Sequence, residues 1–113
     1  MTATPEGRVA AALRQAAIGA GAEIRKLKWE GRNGAPDYFI LLEGAVYLVE
    51  CKAPGGRPRA QQMLEFERLY YSGLEVLVLA DAAYAQQMVD AMKARNARAL
   101  APFSFKFYRE LSK

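Results

Sequence analysis

Two apolar runs joined by a Glu-Gly pair limit what this chain can fold into more than any other feature. Residues 37–42 (DYFILL) and 45–52 (AVYLVECK) each have the length of one strand, and Glu43-Gly44 between them reads as a two-residue hairpin turn. Side chains alternate along a strand, so Phe39, Leu41, Val46 and Leu48 fall on one face and Tyr38, Ile40, Tyr47 and Val49 on the other. A hairpin apolar on both faces belongs in the middle of a covered sheet. The turn also fixes a register. Leu42 faces Ala45, and carrying the pairing outwards brings Asp37 opposite Glu50, with Lys52 two residues further along the same face. A four-residue loop centred on the same pair preserves this register, whereas a three-residue loop shifts it by one.

The rest of the chain supplies the cover. Thr4 before Pro5 is an N-cap followed by a proline at the first helical position, and Val9, Leu13 and Ala16 recur at helical spacing over residues 6–18. Gly19 and Gly21 end that helix. Residues 23–29 form a weaker strand candidate, and 30–34 a loop with an Asn-Gly pair. After the loop 54–58 (PGGRP), a helix is expected over 59–71, closed by Gly73. Residues 74–80 (LEVLVLA) read as a buried strand, and Asp81 caps a helix running to about Arg98. Beyond Pro102, the alternation of Phe103, Phe105 and Phe107 reads as a last strand. The crossover from Lys52 to Leu74 should be right-handed and give a parallel pair. The expected fold is α/β, a mixed central sheet with helices on both faces, in one domain covering residues 1–113.

Composition excludes several chemistries. There is no histidine, which removes Cys/His zinc sites and histidine acid–base catalysis, and the single Cys51 permits no internal disulfide. No apolar run reaches the ~18 residues that span a bilayer, and the first residues lack a basic stretch followed by an apolar one. A cytoplasmic protein, with no membrane partner, is expected. The net charge of +4 is compatible with a nucleic-acid partner without requiring one.

The facing pair Asp37 and Glu50 carries the chemistry. Two carboxylates set against each other near an apolar core repel strongly, because the local dielectric is low. A shared proton, a cation or a metal ion must offset that repulsion. Carboxylate and carbonyl oxygens suit a hard ion such as Mg²⁺ or Mn²⁺, and the backbone carbonyl of Cys51 is a plausible third ligand. Lys52 would then hold a water or a phosphate oxygen beside the ion. The plainer alternative is an ion pair, in which Lys52 merely neutralises Glu50 and Asp37 at a strand end. The thiol of Cys51 points to the opposite face and reads as a small core group.

Gly34-Ala35-Pro36-Asp37 followed by Val49-Glu50-Cys51-Lys52 resembles the Pro-Asp…Glu-x-Lys signature of the PD-(D/E)XK nucleases, and most closely the VRR-NUC family. That family's pattern has a helix with an early glutamate, a Gly-x-Pro-Asp turn, a Val-Glu-x-Lys strand and a glutamine on the next helix. Glu6, residues 34–37, residues 49–52, and Gln61 or Gln62 match these in order; spacing to the end of the helix favours Gln62. The resemblance covers roughly residues 6–80. It implies a restriction-endonuclease-like αβββαβ core and a stand-alone phage or bacterial nuclease, located in the bacterial cell or the phage-infected host. It implies catalytic roles for Glu6, Asp37, Glu50, Lys52 and Gln62. Asp37, Glu50, the Cys51 carbonyl and Glu6 would hold Mg²⁺ or Mn²⁺, and the substrate would be DNA, branched or Holliday-junction-like.

Lys26, Lys28, Arg32, Arg57 and Arg59 flank the acidic centre and are candidates for backbone phosphates, with ordinary solvated charge as the alternative. Glu6 is also explained by the helix dipole, and Gln62 as a polar residue on a solvated helix face. Trp29 could stack on a base but fits a core role. A homodimer is expected, because dimers are the commonest oligomer and two sites would serve two strands. The phenylalanine stripe reads as core, with that interface as the alternative. The rival functions are a non-catalytic nucleic-acid-binding module of the same fold and a plain structural domain.

Overall fold

The hairpin forms in the expected register. The computed structural model describes residues 4–111. Strand β2 (Tyr38–Leu42) pairs antiparallel with β3 (Ala45–Cys51), Leu42 opposite Ala45 and Tyr38 opposite Val49. Glu43 and Gly44 both have positive φ, 49° and 85°, as the turn that matches strand twist requires. Strand β1 (Glu23–Lys26) pairs antiparallel with β2, and β4 (Val76–Leu79) runs parallel to β3, giving the order β1-β2-β3-β4.

Helices cover both faces. Helix α1 (Pro5–Gly19) starts where Thr4 accepts the Gly7 N–H, and it buries Val9, Leu13, Ala16 and Ala17. With α3 (Ala85–Lys93) it packs on the face carrying Ile40, Val49, Cys51 and Leu79. On the other face Phe66 of α2 (Ala60–Tyr71) and Phe105 pack edge to face over Leu48, Val76 and Val78. The first six elements therefore run α1-β1-β2-β3-α2-β4, the expected αβββαβ core. The cover thins at the hairpin tip, where the facing pair Leu41 and Val46 stays 38% exposed. Among the described residues no helix is long and apolar enough to cross a membrane.

The C-terminal third departs from expectation. The helix after Asp81 starts as a 3-10 turn, Ala82–Tyr84, and α3 ends at Lys93. Arg95 adopts φ 51°, and Asn96 accepts the Ala99 N–H to start a short helix α4 (Ala97–Leu100). The expected last strand is absent. A 3-10 turn (Ala101–Phe103) leads to a single bridge between Ser104 and Leu77, and then to helix α5 (Phe105–Leu111). The reason lies in Ser104, whose Oγ donates to Glu75 at 2.9 Å and accepts the Lys106 N–H at 3.2 Å. That turns the backbone over, so Phe103 enters the α1/α3 core and Phe105 the α2 core. Phe107 is left 55% exposed. Two of the three phenylalanines thus serve the core rather than an interface.

Gly34 brings two pieces of backbone close together. It has φ +94°, and a methyl group on its α-carbon would lie 2.9 Å from Glu65 Cβ and 3.2 Å from the Gln61 carbonyl oxygen. The loop before β2 is thereby pressed onto α2. Gly34→Ala combines left-handed strain with overlap against a helix and should destabilise the protein by roughly 1–3 kcal/mol in urea unfolding. An unchanged midpoint would show that the loop can lift off α2 freely.

Candidate active site

The site grows from the end of the hairpin where β2 begins and β3 ends. Two residues beyond Tyr38 and Val49, the register would pair Pro36 with Cys51. Proline has no N–H to offer the Cys51 carbonyl. The backbone of Asp37 faces the other way and accepts the Leu27 N–H at 2.8 Å. Its side chain fills the gap instead, and Asp37 Oδ2 accepts the Cys51 N–H at 2.9 Å. The missing donor thus leaves a backbone carbonyl unclaimed by the ladder, next to a carboxylate held in place.

Glu50 lies on the α2 side of the same end and is 1% exposed. Its Oε2 accepts from Gln62 Nε2 at 2.7 Å and lies 3.0 Å from Lys52 Nζ, a lysine side chain itself only 14% exposed. Its Oε1 is buried and has no hydrogen-bond partner. Burial pushes the Glu50 carboxyl above its ordinary range, and the charge of Asp37 pushes it further, against the opposing pull of Lys52 and Gln62. The Gln62 amide is fixed from both ends, because its Oε1 accepts the Arg59 N–H at 3.0 Å at the start of α2. The glutamine that reaches Glu50 is therefore Gln62; Gln61 is exposed and lines the groove outside.

Glu6, which its helical spacing to Val9 and Leu13 puts on the sheet-facing side of α1, is exposed near the start of that helix and lines a cavity of about 230 Å³ that also contains Asp37, Lys26 and Arg14. Among the described residues no three acidic or cysteine side chains gather into a ready-made metal cage. The cause is local. Asp37 is drawn to the Cys51 amide, Glu50 is drawn towards Lys52 and Gln62, and like charges keep apart when nothing neutralises them. The residues nevertheless fit a hard divalent ion. A buried, unpartnered carboxylate oxygen, a second carboxylate and a ladder-free carbonyl offer oxygen donors at one sheet end.

The thiol of Cys51 is buried in the α1/α3 core and pushed up to about 12 by burial, so it is an inert packing group. Of the expected phosphate contacts, Lys26 lines the cavity of Asp37, while Arg32 is bound to the buried Glu65 at 2.7 Å. Lys28, Arg57 and Arg59 have exposed side chains on the loops around the site. Trp29 is half-buried, with its indole N–H enclosed, which fits core rather than stacking. Arg14 was not anticipated. It lies 5.7 Å over the Tyr38 ring and shares the cavity of Asp37, and its spacing from Glu6 and Ala10, four residues apart each time, was the available signal.

A solved structure described as a VRR_NUC domain superposes on this chain with a TM-score of 0.73 and 33% sequence identity, covering 78% of this chain and 97% of that one. The chain belongs to the VRR-NUC family. This VRR-NUC chain is also 46% identical, over 50 residues, to "Putative nuclease p44" of Acyrthosiphon pisum secondary endosymbiont phage 1. That stretch is 43% of this chain and 54% of the phage protein, so the match spans about half the length of that relative. No family model matches the sequence.

The charge on Glu50 sets a pH signature for the metal-free VRR-NUC domain. A carboxyl whose folded pKa is raised favours folding when protonated, and that contribution is lost as pH rises through the folded value. Glu50→Gln should therefore melt higher than wild type at neutral pH, with the gap closing as pH falls through the raised value towards the ordinary 4.5. A variant that melts lower at neutral pH would mean that the Lys52 ion pair outweighs the cost of burial. Added Mg²⁺ or Mn²⁺ should raise the melting temperature of wild type and leave Glu50→Gln unmoved.

Proposed function

We propose that this protein is a divalent-metal-dependent DNA endonuclease that selects branched DNA. The observation that carries the reading is the buried, unpartnered Oε1 of Glu50 beside Asp37 and the Cys51 carbonyl. A buried carboxylate oxygen without a partner costs about 1–3 kcal/mol or more, a cost that a bound cation would offset. Membership of the VRR-NUC family and the likeness to a phage protein named as a nuclease support a nucleic-acid hydrolase.

Asp37, Glu50 and the Cys51 carbonyl would hold Mg²⁺ or Mn²⁺, with Glu6 reaching the same end from α1. A bound ion would supply Lewis acidity at neutral pH. The chain would do the rest. The Lys52 ammonium, 3.0 Å from Glu50, would face the negative charge that grows on the phosphate as a water oxygen bonds to phosphorus and the ester oxygen departs as the alcohol end of the cut strand. Gln62 keeps Glu50 turned towards the site by holding its other oxygen. Lys26 and Arg14 flank Asp37 on the α1 side. On the α2 side, two cavities of about 340 and 270 Å³ share Asn33 and Gln61 and run from Arg68 to Arg59, a cationic groove suited to a phosphodiester strand. A homodimer would set two such sites against the two strands of a branch point.

The test is cleavage of a four-way junction and a matched linear duplex with Mg²⁺ or Mn²⁺. Wild type should cut the junction in preference. Glu50→Ala and Lys52→Ala should each lose on the order of a hundredfold or more in rate while still binding. Binding without cutting in either metal would leave a non-catalytic binding module, and full activity in Glu50→Ala would remove this site from the reaction. Glu6→Gln should lower the rate less than Glu50→Ala, because Glu6 stands at the rim.

A further inference from the structure

A further cavity lies at the edge of the sheet, away from Glu50 and Asp37. Strand β4 is the open edge of the sheet and runs parallel to β3, so both strands end at the same end. The two are joined there, because the Lys52 N–H donates to the Leu79 carbonyl at 2.9 Å. Beyond the single bridge between Leu77 and Ser104, the β4 edge is flanked by a cavity of about 380 Å³. Its apolar floor is Val78, Leu79 and Phe103; Tyr84 lines it with half of its surface uncovered, 51% exposed. Asp81 and Gln87 bring polar groups to the same cavity, both from exposed positions. Asp81 caps the 3-10 turn through Oδ1, at 2.9 Å from the Ala83 N–H.

We propose that this cavity receives one unpaired nucleobase next to the phosphate that is cut. The inference rests on the nuclease reading and deepens it by giving the selectivity for branched DNA a physical origin. An apolar floor with a few polar groups at the rim suits a flat ligand with hydrogen-bonding edges. The uncovered phenol ring of Tyr84 offers a stacking face, which every base can use. A carboxylate acceptor and an amide that both donates and accepts serve the edge of the base. Position decides the occupant. Neighbouring strands lie ~5 Å apart, so the cavity wall is one strand from Lys52 and the strand that carries Glu50. A base in continuous duplex is stacked and paired, and removing it costs a few kcal/mol. A base at a branch or flap has already left the stack and enters at little cost.

The experiment places 2-aminopurine, whose fluorescence falls when it stacks, at each unpaired position flanking the branch of a splayed-arm DNA. Wild type in EDTA should quench one position adjacent to the branch. Tyr84→Ala should abolish that quenching and Tyr84→Phe should retain it, with the circular dichroism of both unchanged. With Mg²⁺ or Mn²⁺, Tyr84→Ala should cut branched DNA on the order of tenfold more slowly while its rate on linear duplex stays the same. Quenching that is absent from wild type, or that survives in Tyr84→Ala, overturns the pocket, whether or not the protein cuts. If wild type cuts no DNA in either metal yet quenches in a Tyr84-dependent way, the pocket stands and the nuclease reading falls.

Discussion

A carboxylate that water does not reach governs this structure. Glu50 is 1% exposed, and even after relaxation a buried ion costs several kcal/mol unless its oxygens find partners. Lys52 and Gln62 both serve one of those oxygens, and the other has none. The arrangement therefore offsets only part of the burial cost. It also ties distant parts of the chain together. Gln62 reaches Glu50 only if α2 begins at the right place, and its amide is oriented only because its oxygen closes on the Arg59 N–H. The cap of a helix and the charge of a strand are one hydrogen-bond relay.

The loop before β2 keeps that relay in register. Gly34 lies against Gln61 and Glu65 where no other side chain fits. Arg32, two residues earlier, pairs with Glu65, a carboxylate one helical turn beyond Gln62. Pro36 then removes one ladder donor, and Asp37 follows with a side chain that takes over half of the lost rung. The turn Gly34-Ala35-Pro36-Asp37 thus has three separate jobs within four residues: close approach, ladder termination and ligand placement. Each uses a property that only its own residue type supplies.

The hairpin and its register were legible in the sequence because a two-residue turn and a period of two leave no freedom, and Glu50 beside Lys52 followed from them; Asp37 did not, because the ladder ends at Tyr38 and Val49 and its carboxylate turns to the Cys51 N–H on the α1 side instead of facing Glu50. Helix α1 was legible from Thr4 and Pro5, and α2 from its periodicity and Gly73. Three further features were not. The alternation of Phe103, Phe105 and Phe107 mimics a strand, yet the Ser104 side chain turns the backbone and sends two of the rings to opposite cores. The break at Arg95 depends on one residue taking positive φ, for which a lone arginine gives no warning. The outward position of Glu6 is tertiary in origin. Helical spacing put it beside Val9 and Leu13, but the first turn of α1 runs past the edge of the core, so the same helix face is buried at Val9 and open at Glu6.

That overhang gives the sheet end two unlike sides. Towards α1, Asp37 opens into a polar cavity with Glu6, Lys26 and Arg14, where water and ions enter freely. Towards α2, Glu50 is enclosed and its partners are fixed by hydrogen bonds. The enclosed half fixes the direction of Glu50, and the open half leaves Asp37 within reach of solvent. A side chain that satisfied Glu50 Oε1 would make the protein more stable, so the unpartnered oxygen is stability that this fold forgoes.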